Sequence, residues 1–184
     1  VIKLGGHMSQ NSASITITEI KMLFSVVFVA LFGMLGVDIH LASMPHIMIA
    51  LHTDSIHMQQ SVSLYLLGMG ISLLIYGPMS DAYGRKPVIL LGMSIGIVSC
   101  LVCSMTQSIH GFLLSRMFQG LGCGVCLGVG RTVVADILQG DRLATIGSYF
   151  SMLLTLSPLL GPALGGYIQH YYGWHANFIL LAGL

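Results

Sequence analysis

Gly77-Pro78-Met79-Ser80-Asp81-Ala82-Tyr83-Gly84-Arg85-Lys86 is a short charged interruption between two long uncharged runs. Upstream, Met58 to Ser80 holds no Asp, Glu, Lys or Arg; downstream, Pro87 to Ser115 is uncharged over 29 positions. A helix needs about 20 apolar residues to cross the hydrocarbon of a bilayer. The stretch therefore reads as the tight turn between two membrane spans. Gly77 suits a close helix contact, Asp81 a cap on backbone amides, and Gly84 the turn itself. Arg85 and Lys86 anchor the turn to the cytoplasmic face and its anionic headgroups.

The same reading extends in both directions. Met22 to Val37 is uncharged and continues past Asp38 to about Met44. The 29-residue run is too long for one span, and Gln107-Ser108-Ile109-His110-Gly111 divides it. Leu143 to Leu184 is uncharged over 42 positions, with Gln169-His170-Tyr171-Tyr172-Gly173 as its turn. The predicted spans are about 22–44, 58–80, 87–106, 109–134, 143–168 and an incomplete 174–184. Residues 1–20 form a cytoplasmic lead-in, of which 1–7 are set aside as non-native with Met8 the expected start. A cleaved signal peptide is the rival reading of the first run; Asp38 closes that run and no A-x-A site follows. Eleven residues after Gly173 extend only about 16 Å, so the chain is expected to stop within its sixth helix.

Composition supports this class. Of 184 residues 55% are hydrophobic and 7% charged, against about 25% charged in soluble domains. The mean hydropathy is +0.88. So few charges cannot cover a water-facing globule, and a net charge of +1 offers nothing to nucleic acid. Lys21 precedes span 1, Arg85 and Lys86 join spans 2 and 3, and Arg131 and Arg142 flank the turn between 4 and 5. The remaining turns lack Lys and Arg, which predicts a cytoplasmic amino terminus.

Two charges fall inside spans. Asp38 is about sixteen residues, roughly 24 Å, from the cytoplasmic start of helix 1, and Arg116 about seven, roughly 10 Å, from the outer end of helix 4. In a core about 30 Å thick both lie in the outer half, within one turn of the same depth. That predicts a shared aqueous cavity, with a salt bridge in reach. The alternative is Asp38 at the interface and Arg116 snorkelling outward. A carboxylate balanced between desolvation and a cation takes a proton from one side and loses it on the other, the physical requirement of proton-coupled antiport.

The motifs fit one family. Gly77 to Lys86 resembles the major facilitator signature G-x-x-x-D-x-x-G-R-[KR]. Arg116-Met117-Phe118-Gln119-Gly120 is similar to the family's R-x-x-Q-G, and Gly161-Pro162-Ala163-Leu164-Gly165-Gly166 to the G-P-x-x-G-G of its drug/proton antiporters. With Asp38 and Gly173-Trp174 the pattern resembles the bicyclomycin-resistance branch. Two departures stand out: Ala42 where that branch has proline, with Pro45 further on, and His175 where it has arginine. The resemblance implies an all-α membrane protein, the amino-terminal six-helix bundle of a twelve-helix transporter. It implies proton coupling through Asp38, Arg116 and Gln119. It also implies a gate made by Gly77, Asp81, Gly84, Arg85, Lys86 and Asp136. In helix 5 the implied antiporter element is Gly161, Pro162, Gly165 and Gly166, with Pro162 kinking the helix and the glycines packing tightly.

Other signals are weaker. Cys100-x2-Cys103 and Cys123-x2-Cys126 imitate a zinc site but lie in apolar helices, where buried thiols are ordinary. Gly120-Leu121-Gly122-Cys123-Gly124 and Gly128-x-Gly130 look like a nucleotide loop without its strand, and read as small-residue helix packing. His40, His46, His52, His57, His110, His170 and His175 all fall near the outer side, where interfacial packing outweighs pH sensing.

The expected function is secondary export of drugs or other small amphipathic compounds across a bacterial inner membrane, in exchange for protons. The alternatives are a dedicated metabolite or siderophore exporter, a nutrient importer, or a non-transporting truncated fragment. No enzymatic cluster is present. No cofactor is expected, the proton gradient being the energy source. The expected partners are the lipid bilayer, a small-molecule substrate and the carboxy-terminal half of the same protein.

Overall fold

The computed structural model describes residues 33–137 and 141–183, with side chains left aside at residues 130, 131, 133–137, 141–146, 149, 150, 153 and 154. The described residues form helices α1 (residues 33–41), α2 (Met44–Ala50), α3 (Ser55–Tyr83), α4 (Arg85–Met105), α5 (Ile109–Ile137), α6 (Asp141–Tyr172) and α7 (Trp174–Gly183). Three of them, Ser55–Tyr83, Arg85–Met105 and the Ile109–Val129 part of α5, are long and apolar enough to cross a membrane.

The first span differs from its expected form. Its helix stops at Leu41, turns at Ala42 and Ser43, and resumes as α2 with Pro45 in its first turn. Proline is tolerated there because its missing N–H is one that a helix start leaves unbonded anyway. Ser43, at the cap position, makes no side-chain cap hydrogen bond. Its hydroxyl instead accepts from Asn177 Nδ2 of α7 (2.6 Å), which also donates to Gly165 O of α6 (3.1 Å). One buried amide thus ties the break in the first span to two other helices.

The turns are tighter than apolar runs suggest. Between α3 and α4 only Gly84 is non-helical, at φ 87°, a left-handed value open to glycine. Gly173, at φ 80°, makes the whole reversal between α6 and α7, so the expected five-residue turn contracts to one residue. The helix α3 begins three residues before the predicted Met58 because Asp54 accepts from His57 N (3.0 Å) and caps it.

Small residues set the packing. A Cβ on Gly120 would meet Tyr65 O at 2.0 Å, and one on Gly124 would meet Ser72 Oγ at 1.7 Å. These lie four residues apart, on the face of α5 that touches α3. A Cβ on Gly122 would strike Gly96 N at 2.3 Å, so another face of α5 meets α4 equally closely. Helix α5 therefore sits between α3 and α4, while α7 packs on α4 and α6. Cys100, Cys123, Val125, Cys126 and Val129 fill the core there with Ile39, Tyr65 and Tyr76. A second cluster, Ile47, Leu51, Met58, Cys103, Phe112, Trp174 and Phe178, closes the end near α2. Large apolar side chains such as Leu74 (78% exposed) and Met105 (80%) point outward from the helices, as lipid-facing residues do.

Candidate functional site

Arg116 is fully buried in α5. Its Nη1 donates to Gly36 O (2.9 Å) and to Gln119 Oε1 (2.6 Å), and its Nη2 lies 3.2 Å from His40 Nδ1. The guanidinium carbon stands 4.4 Å from the centre of the Tyr65 ring, a cation–π arrangement. Each part has a support. The Tyr65 hydroxyl donates to Gly33 O (2.8 Å), and Gln119 Nε2 donates to Cys100 Sγ (3.0 Å). A Cβ on Gly36 would come within 2.8 Å of that same Tyr65 oxygen, so the ring lies flush against α1. Hydrogen bonds to a charged group contribute about 1.5–3 kcal/mol each, and these offset part of the cost of burying the cation.

Asp38 takes no part in this cluster. Its carboxylate accepts from Ser157 Oγ of α6 (2.8 Å), and it is 8% exposed. The salt bridge to Arg116 that equal depth suggested does not form. Arg116 meets helix α1 at Gly36 and His40, which bracket Asp38. Two residues along a helix rotate a side chain by about 200°, so the carboxylate faces away from α5. It faces α6, where a Cβ on Gly161 would reach Asp38 Cβ at 2.3 Å and one on Gly165 would reach Ile39 O at 2.1 Å. A Cβ on Gly166 would stand 3.7 Å from Ala42 Cβ, an ordinary contact. Helix α6 runs unbroken through Pro158 and Pro162.

The turn between α3 and α4 departs from expectation at two residues. A Cβ on Gly77 would meet nothing within 4 Å among the described residues, so Gly77 makes no close helix contact. It lines a cleft of about 220 Å³ between α3 and α5, with Tyr76, Ser80, Asp81 and Thr132. Asp81 lies inside α3, and α4 starts at Arg85 with Gly84 at its cap position and no side-chain cap, so Asp81 does not cap α4. The helix continues past Asp81 to Tyr83, which carries its carboxylate too far back to reach the amides of α4. Arg85 donates to Thr132 Oγ1 and ties the turn to α5. Lys86 is exposed. Asp136 is helical, one turn beyond Thr132, and its side chain lies outside the described residues.

His40 corrects the reading of the histidines. It is fully buried against Arg116, with Nδ1 2.7 Å from Val37 O. Its position four residues after Gly36 was the available signal, since residues i and i+4 share a helix face. Ser157 and Tyr65 carried no motif and were missed. The four cysteines are free and buried.

The Major Facilitator Superfamily matches residues 26–184. Multidrug resistance protein D of Escherichia coli (strain K12) is 32% identical over 163 residues, 89% of this chain and 41% of that protein. The Bicyclomycin resistance protein homolog of Haemophilus influenzae is 31% identical over 147 residues, 80% of this chain and 37% of that protein. Multidrug resistance protein MdtL of Klebsiella pneumoniae (strain 342) is 32% identical over 149 residues, covering 81% and 38%. The chain spans about two fifths of the length of these curated relatives.

Proposed function

The chain belongs to the Major Facilitator Superfamily, and from that premise we propose that the protein carrying it exports drugs or similar small amphipathic compounds across the inner membrane in exchange for protons. The relatives named for multidrug and bicyclomycin resistance support the substrate class. One observation carries the proton coupling: among the described residues Asp38, within a span and 8% exposed, holds a single hydrogen bond from a neutral hydroxyl and no cation. Such a carboxyl gains or loses a proton without breaking an ion pair. A cytoplasmic amino terminus follows from the basic turns.

In this reading the bundle rocks against a second bundle around a midplane site. Gly77, Asp81, Gly84, Arg85, Lys86 and Asp136 form the gate on the cytoplasmic side. Gly161, Pro162, Gly165 and Gly166 shape the surface on which helix α1 moves, while Arg116 and Gln119 hold the opposite face of that helix. The proton gradient supplies the energy, with no cofactor.

The test uses everted membrane vesicles containing the full chain, with ethidium as probe and a pH-sensitive dye. The wild type is expected to release protons from the vesicle lumen on ethidium addition, and Asp38→Asn to abolish that flux while leaving the protein folded. Full ethidium-stimulated flux in Asp38→Asn would overturn the coupling role.

A further inference from the structure

His40 occupies a position that neither neutral form of its ring satisfies. With the ring proton on Nδ1, the 2.7 Å contact to Val37 O is a good hydrogen bond. Nδ1 then has no lone pair for Arg116 Nη2 at 3.2 Å, and two donors face each other. Nε2 is left as a bare lone pair, buried and without a partner among the described residues. With the proton on Nε2 instead, Nδ1 accepts from Arg116. Its lone pair then opposes the Val37 carbonyl, and Nε2–H becomes an unpartnered buried donor. A doubly protonated ring suits Val37 O but sets a second positive charge 3.2 Å from the guanidinium, away from water. Arg116 is itself incompletely held: its Nε–H also lacks a partner among the described residues.

The groups around the imidazole leave Arg116 as the charge that matters. On its own helix Asp38 faces α6 through Ser157. From α3 comes the Tyr65 phenol, already donating to Gly33 O. From α4 and α5 come the thiols of Cys100, Cys103 and Cys123, all buried. Helices α6 and α7 meet the first span away from this ring, the Ser157 hydroxyl at Asp38 and the Asn177 amide at Ser43, and both groups are neutral. Among the described residues, the charged group in contact with His40 is the Arg116 guanidinium.

We propose that His40 is a second proton-carrying group of this bundle, mutually exclusive with Arg116: a proton binds Nε2 when the guanidinium withdraws from Nδ1, and leaves when it returns. The transferred species is one proton of the transmembrane gradient, and no other bond changes. Nδ1–H keeps its bond to Val37 O throughout. The role rests on the proton-coupled reading of Asp38 and adds a second proton acceptor, on the α5 face of α1 rather than on the α6 face that carries Asp38.

The experiment pairs wild type with His40→Gln, which keeps a polar group within reach of Val37 O and cannot titrate. The melting temperature of the purified full chain in detergent is measured at about pH 5.5 and about pH 7.5, the range in which histidines charge. Wild type is expected to melt lower at the acidic value, because the unfolded chain takes up a proton that the buried ring beside Arg116 resists, and His40→Gln to narrow that gap by about half or more. The other histidines are present in both proteins and cancel. A gap unchanged by the substitution, or a lowering equal at both pH values, overturns the proposal and leaves His40 a packing residue. His40→Asn makes the same comparison if the glutamine variant does not fold. In everted vesicles, the slope of log ethidium transport rate against pH is expected to fall by about one proton in His40→Gln. Absence of ethidium transport in wild type would sink the exporter reading alone, while the melting comparison still decides His40.

Discussion

On the face of α1 turned toward α5, Gly36 O and His40 meet a buried guanidinium that Gln119 and Tyr65 also hold. On the face turned toward α6, Asp38 meets one serine hydroxyl, and two glycines let the backbones touch. The first face is rich in polar contacts and the second is nearly bare of them, but sterically tight. An acid and a base at equal depth need not form a pair when a helix stands between them. Any coupling between Asp38 and Arg116 then passes through movement of α1 itself: a shift that loosens one face tightens the other. The α6 face is where the helix is fixed by shape, and the α5 face where it is fixed by charge.

The largest effect is expected from breaking the tight face. Gly165→Val places a branched side chain where even a Cβ lies 2.1 Å from Ile39 O. Backbone cannot step aside as a flexible side chain does, so the cost is about 3 kcal/mol. Gly166→Ala, with its Cβ 3.7 Å from Ala42 Cβ, is the near-neutral control. Denaturant or thermal unfolding of the full chain checks both, and wild-type stability in Gly165→Val would mean that α1 is not held by α6. Next comes the one polar bond of that face among the described residues. Ser157→Ala is expected to cost about 1–2 kcal/mol. Because α1 separates the two sites, its effect combined with Arg116→Met should be additive within about 0.5 kcal/mol. A double-mutant cycle with a coupling energy well above that would show the two faces to be one network.

Which parts of this arrangement the sequence disclosed follows from what a sequence counts well. Lengths of uncharged runs give the spans, and residues counted along a helix give depth, because each adds a fixed 1.5 Å. Arg116 accordingly meets the first helix at Gly36 and His40, on either side of Asp38. Azimuth is different. Each residue turns a side chain by about 100°, so a boundary error of one or two residues sends it to another neighbour. The ion pair between Asp38 and Arg116 failed for that reason, and His40 was assigned to the interface when it lies in the core. The break at Ala42 and Ser43 was hidden too. It has no charge and its proline comes after it, while the amide that fixes it, Asn177, is far along the chain. Close packing of glycines was legible as a stripe on α5, whereas Gly77, in a motif, faces a cleft.

Asp54 gives the comparison its exposed counterpart, and the smallest effect. Like Asp38 it is a carboxylate served by a close neighbour, here His57, whose backbone N–H donates at 3.0 Å and whose Nδ1 lies at 2.6 Å. Its side chain is 55% exposed, and water competes for every contact. The backbone hydrogen bond first, and then the imidazole, hold its carboxyl below the usual range. A depressed carboxyl contributes stability above its unfolded value, and that contribution is lost as pH falls through the folded one, below about pH 4. Asp54→Ala should therefore lower the melting temperature at neutral pH by less than Ser157→Ala does, with the difference from wild type shrinking on acidification. High salt should shrink only the imidazole's share, because a backbone cap is not an ion pair. A loss larger than that of Ser157→Ala, or one insensitive to acid, would mean that the α2–α3 turn supports the bundle through some contact other than this cap.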